Sequence, residues 1–143
     1  MKYIFKYLIP AYFDILDGNI SVQGITLPVY DAEAPANENG DFGSYILLGD
    51  RSSQQTQAKG RFTSEVFLLV DVCIKGNNFG FEDSEDAANQ IMQLINSDAN
   101  PDCTPDFQVV TTSIQSTNNL TGINKTDNVF RTLIRYRHLV NQL

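Results

Sequence analysis

Apolar and polar residues alternate most clearly in "RFTSEVFLLVDVCIK", positions 61–75. Phe62, Val66, Leu68, Val70, Val72 and Ile74 share one parity. Successive side chains of a strand point to opposite faces, so this run predicts a long strand with one almost wholly apolar face. The other parity carries Glu65, Phe67, Leu69, Asp71 and Cys73, which suits partial cover by a neighbour. A helical period follows in "DSEDAANQIMQLINS", where Ala87, Ala88, Ile91, Leu94 and Ile95 form one stripe. Asp83 or Ser84 is expected to cap this helix, with acids in its first turn where the helix dipole favours them. The core is therefore expected to hold Leu68, Val70, Val72, Ile91 and Leu94.

Elsewhere the period is weaker. "KYIFKYLIPAYFDIL" spaces Ile4, Tyr7, Leu8, Tyr12, Ile15 and Leu16 helically, and Pro10 predicts a kink or a helix start near it. Gly18 in "DGN" suits a left-handed stop. "ISVQGITLPVY" reads as two short strands about "QG". An acidic segment with Pro, Asn and Gly then leads to the strand "YILLG". "DRSSQQTQAKG" offers almost nothing to bury, so positions 54–60 are expected to form a loop that is mobile in an isolated subunit and orders only on assembly. A turn-rich "DANPDCTPD" precedes the strand "FQVVTTSIQ", and another polar loop precedes the last strand, "NVFRTLIRYRHLV". The sum is one α+β domain over residues 1–143. Two helices pack on a mostly antiparallel sheet of four to six strands, with long strands protruding for subunit contacts.

Composition narrows what such a domain does. The 143 residues carry a formal charge of −7, which argues against a nucleic-acid-coating surface, since that needs basic stripes. The length suffices for an ordinary core without disulfides or metals. Cys73 sits in an apolar run and Cys103 in a loop, so reduced thiols in a cytosol are the simpler expectation. "MKYIFKYLIPAYF" has the basic residues and apolar bulk of an export signal, but Asp14 and Asp17 follow at once without a small-residue cleavage site. Export is not expected, and the sequons "NLT" and "NKT" then carry no weight. No apolar run approaches the ~18 residues of a membrane span, so no membrane partner is expected.

Charge is spread unevenly. Positions 7–50 hold seven acidic residues and no Lys or Arg, and positions 76–124 hold seven more with no basic residue. The basic residues cluster at Lys2 and Lys6, between Arg51 and Lys75, and between Lys125 and Arg137. Acidic loops beside a basic strand fit two complementary surfaces. They fit equally well the habit of soluble proteins to place carboxylates in loops.

Candidate chemistry is sparse. His138 is the only histidine, on the parity of Phe130, Ile134 and Tyr136, and is expected to be packed or at a rim rather than catalytic or metal-binding. "GNNFGFEDSED" has glycines before a helix, but it lacks a P-loop's Lys–Ser/Thr, and its four carboxylates would repel phosphate. The same acids lack the alternation of an EF-hand loop. A carboxylate- or metal-dependent enzyme stays open as an alternative, as does a small monomeric binding module, though no nucleophile, base or metal set converges. No catalytic residue, metal or cofactor is expected. Arg131, Arg135 and Arg137 share one parity of the last strand with Leu133 and Leu139. They read as charges guarding an edge strand against aggregation, as a subunit interface whose arginines meet a neighbour's carboxylates, or as pairs within the subunit with Glu65 or Asp71.

The order of these features resembles the tail-completion or tail-terminator family of tailed bacteriophages. The residues that carry the likeness are "PVYD", Pro35, Tyr45 and Ile46 followed by Gly49, and "RYR" at Arg135 to Arg137. The acidic segment is longer than the family's usual loop. The resemblance implies a ring-forming structural protein of the virion, without catalytic residues, at the head–tail neck or the end of the tail tube. It implies partners: copies of itself in a hexamer or dodecamer, neighbouring neck, portal-adaptor or tail proteins, and genomic DNA passing through unbound. Assembly would take place in the cytoplasm of a bacterial host. The interface candidates are Arg131, Arg135, Arg137, Leu133 and Leu139. Asp31, Glu33, Glu38, Asp41, Glu82 and Asp83 are the acidic candidates for loop contacts or the lumen.

Overall fold

A computed structural model describes residues 2–32, 43–58, 61–76, 78–123 and 128–143. The elements in chain order are α1 (Phe5–Leu16), β1 (Ser21–Val22), β2 (Ile25–Thr26), β3 (Val29–Asp31), β4 (Tyr45–Ala58), β5 (Arg61–Lys75), α2 (Phe81–Leu94), β6 (Phe107–Ile123) and β7 (Asn128–Gln142). One five-stranded sheet has the order β3-β4-β5-β7-β6. β3 pairs in parallel with β4, and every other pairing in that sheet is antiparallel. β1 and β2 make the hairpin read from "QG", and its turn holds Gln23 at φ 49° and Gly24 at φ 79°.

Both helices pack on one face of the sheet, and the core lies between. Val66, Leu68, Val70, Val72 and Ile74 of β5 are fully buried there with Ile134 and Tyr136 of β7, as their shared parity predicts. From α1 come Leu8, Tyr12 and Leu16, and from α2 come Ala87, Ala88 and Ile91. The helix α1 runs through Pro10, whose ring sits on its exposed side. The backbone donor that proline lacks therefore costs a hydrogen bond only where water can replace it. Gly18 ends the helix at φ 78°.

Polar groups tie the helices down at specific points. The Tyr12 hydroxyl donates to Nε2 of His138, and the Nδ1–H of His138 donates to the Val66 carbonyl at 3.0 Å. The histidine is thus a packed core residue joining α1, β5 and β7. Burial pushes its pKa down to about 4, against a smaller upward pull from the Val66 carbonyl. The Tyr136 hydroxyl donates to the Ile95 carbonyl at 2.9 Å, just past the end of α2.

Four sequence expectations change. α2 starts at Phe81, earlier than expected, because Asp83 acts from inside the first turn: its carboxylate accepts the Gly80 N–H at 2.9 Å. Leu94 is 37% exposed rather than buried. The inward arc of α2 spans Ser84, Ala87, Ala88 and Ile91, and Leu94 lies just outside it at 100° per residue. Positions 54–58 belong to β4 and pair with β5 through to Ala58↔Arg61, so they are strand and not loop; residues 59 and 60 lie outside the described residues. The polar tract after Gln115 is likewise strand, because β7 supplies hydrogen-bond partners along it.

Candidate subunit interface

The sheet face opposite the helices is built from the second parity of the same strands. It carries Leu47 of β4, then Glu65, Phe67, Leu69 and Asp71 of β5. Next come Arg131, Leu133, Arg135, Arg137 and Leu139 of β7, and Thr111, Ser113, Ser116, Asn118 and Leu120 of β6. Among the described residues no helix covers it. Phe67, Leu69, Leu133 and Leu139 are therefore half-buried by their neighbours alone.

Two of the three arginines are engaged inside the subunit. Arg131 grips Asp71 with both ends of its fork, Nε lying 3.2 Å from Oδ1 while Nη2 donates to Oδ2. The Asp71 carboxylate is almost completely buried, and its hydrogen bond raises the Arg131 pKa further above the ordinary value. Arg137 pairs with Glu65 on a parallel diagonal further along, where the carboxylate is more open to water than that of Asp71. Arg135 lies between these pairs, level with Leu69 on β5 and Ser116 on β6. It is half-buried and has no ion pair among the described residues. β7 is not an edge strand, since β5 and β6 flank it, so edge protection does not explain the arginines.

Of the described acidic candidates, Asp31 borders a shallow depression at the margin of this face with Leu47, Leu69, Asp71 and Arg131, while Glu82 and Asp83 lie on α2. Asp31 is exposed at the end of β3 and pairs with Arg51. The guanidinium of Arg51 also lies 5.9 Å from the Phe5 ring centroid. Glu82 is exposed in the first turn of α2, in the helical layer. Asp83 has a structural task, because Oδ2 accepts the Gly80 N–H and Oδ1 accepts Nε2 of Gln23 at 3.0 Å. Glu33, Glu38 and Asp41 lie outside the described residues, as does Pro35. Asp50 was not a sequence candidate. It is exposed at the β-bulge between Leu48 and Arg51 and borders a shallow depression with Leu47, Leu69, Asp71 and Arg131. Nothing in the local sequence marks that bulge.

Cys73 and Cys103 are both free and buried, and burial raises both thiol pKa values, that of Cys103 to about 11. Among the described residues, no group of three or more His, Cys, Asp or Glu is placed to hold a metal ion. No helix among them is long and apolar enough to cross a membrane.

No protein-family model matches the chain, and no curated protein sequence matches it significantly. Solved structures do share the fold. One is a chain of the virion of a native gene transfer agent particle, at a TM-score of 0.77 and 18% sequence identity, with 99% of each chain covered.

Proposed function

We propose that the chain is a structural subunit of a phage-like virion that closes into a ring with copies of itself. The ring, a hexamer or dodecamer, sits at the head–tail neck or the end of the tail tube. It completes or connects the tail and lets genomic DNA pass. The observation that carries this reading is the end-to-end likeness to the gene transfer agent virion chain, in which 99% of both chains align. Residues 1–143 then act as one tail-terminator-like domain, by contact rather than by catalysis and without a cofactor. Its other partners are neck, portal-adaptor or tail proteins. It is assembled in the cytoplasm of a bacterial host and works in the virion.

The helix-free face supplies the contact chemistry. Leu133 and Leu139 offer apolar area, while Arg135 offers a guanidinium with no carboxylate of its own among the described residues. Asp31, Glu82 and Asp83, with Glu33, Glu38 and Asp41, supply acidic surface to adjoining rings or the lumen. Exposed ion pairs contribute only ~0–1 kcal/mol each, so apolar contacts hold the subunits together. The charges set register and the rate of association. Segregated faces favour a head-to-tail contact, which closes into a ring when its rotation allows. Negative-stain electron microscopy of the concentrated protein tests this. Annular particles with an open centre are expected, and a field of monomer-sized particles at every concentration overturns the reading.

A further inference from the structure

We infer that subunits join edge to edge, the lower half of β6 in one copy adding antiparallel to the free half of β4 in the next. This inference rests on the ring reading and adds to the helix-free face a second contact, at the sheet edges. A sheet edge presents unpaired N–H and C=O groups, and proteins ordinarily guard it with charge, proline, bulges or a covering element. Among the described residues, the two edges of this sheet are unguarded over matching lengths. On one side β4 pairs with β3 only as far as Leu48, which leaves residues 51–58 without an outer strand among the described residues. On the other side β6 is outermost throughout. Its bulges fall at Val109/Thr111 and Ile114/Ser116, so residues 116–123 are regular. Both segments are eight residues long and free of proline, and Arg51 is the only charged residue in either.

Composition points to the same strand. β6 has no charged residue in its whole length, although 19% of the chain is charged. Among the described residues, three of the eight exposed large hydrophobics, Val110, Ile114 and Leu120, lie on it. Residues 113–121 are exposed on both faces. Such an edge is a template for another strand. The free part of β4 offers a matching occupant: Ser52, Ser53, Gln54 and Gln55 are exposed and rich in hydroxyl and amide groups, like the Ser, Thr and Asn of β6.

Polarity and parity agree with this pairing. From β4 to β5, β7 and β6 every step is antiparallel, so a neighbour's β4 placed beside β6 continues the alternation. Ser52, Gln54 and Thr56 face the helix-free side, as do Ser116, Asn118 and Leu120. Opposing Leu120 to Gln54 and Asn118 to Thr56 of the next copy keeps both faces in line. The pairing staggers successive copies along the strands, and a closed sheet likewise combines stagger with strand tilt. The two edges lie on opposite sides of the subunit, so the contact is head-to-tail and can close.

Cysteine pairs test the contact, since the native thiols are buried. Cysteine is placed at Gln54 and, in turn, at Ser116, Asn118 or Leu120, the registers that preserve parity. Oxidation of the assembled protein is expected to give a ladder of linked subunits ending at the ring order for at least one pair. Amide exchange of residues 116–121 is expected to slow roughly tenfold or more on assembly. Rings that show no such link and no added protection overturn the edge pairing while the ring reading stands. Efficient linking of Leu120→Cys alone into dimers indicates β6 pairing with itself and overturns it too. A protein that stays folded and monomeric at every concentration overturns both.

Discussion

On its helix-covered side, β5 shows Val66, Leu68, Val70, Val72 and Ile74 with no accessible surface, while on the other side Glu65, Phe67 and Leu69 stay partly open. The chain is the same and only parity differs. On the covered side, burial of apolar area against α1 and α2 stabilises the fold. The open side instead holds itself together with two diagonal ion pairs and the stems of long side chains. The covered face serves the stability of the subunit. The open face keeps chemistry available for contacts outside it.

Truncation in the covered face should have the largest effect. Leu68→Ala or Ile91→Ala is expected to cost ~2–5 kcal/mol of unfolding free energy in denaturant titrations. Leu69→Ala, one residue away on the open face, should cost clearly less than Leu68→Ala. Equal losses at Leu68 and Leu69 would erase the distinction between the faces.

Acid should act on the covered face first. The imidazole of His138 has its pKa lowered from 6.5 to about 4, so its neutral form is the one that folding favours. Between those values the unfolded chain binds more protons than the folded one, and stability falls as pH drops through that window. Denaturant midpoints at several pH values should show this loss, and His138→Phe should remove most of its pH dependence. An unchanged slope in that variant would place the acid sensitivity elsewhere.

Within the open face the two ion pairs should differ. Asp71 is buried while Arg131 is partly hydrated, so Asp71→Asn is expected to cost about 1–2 kcal/mol. Glu65 and Arg137 are both partly exposed, and Glu65→Gln should stay within ~1 kcal/mol. A cost at Glu65 equal to that at Asp71 would show that burial does not set their difference. The smallest effect is expected at Thr112, whose buried hydroxyl has no hydrogen-bond partner among the described residues. Thr112→Val should be neutral or stabilising by up to ~1 kcal/mol in the same titrations, since no bond is lost.

Much of this fold was legible wherever burial wrote a period into the chain. Val66 to Ile74 alternate because one face is in the core, and Ala87, Ala88 and Ile91 recur helically for the same reason. The outer halves of β4 and β6 were illegible because pairing, not burial, makes them strands. Ser, Thr, Asn and Gln leave no periodic trace when both faces meet water. Arg131 and Arg137 could be placed on one face from parity, and Asp71 and Glu65 were foreseeable as their partners within the subunit. Which arginine lacks a carboxylate among the described residues depends on register across β5, β7 and β6, and that was not readable. The exposed Asp50 depends on a bulge that no residue in its neighbourhood announces.

Whether the subunit closes into a ring is tested most directly by the mass of the concentrated protein in solution. Native mass spectrometry or light scattering is expected to find one discrete species, a hexamer or dodecamer of the 16.0 kDa chain, in equilibrium with free subunits on dilution. Charge reversal at Arg135, Arg135→Glu, should leave the fold intact and shift that equilibrium toward free subunits, more so at low salt. A single 16.0 kDa species at every concentration would contradict the account.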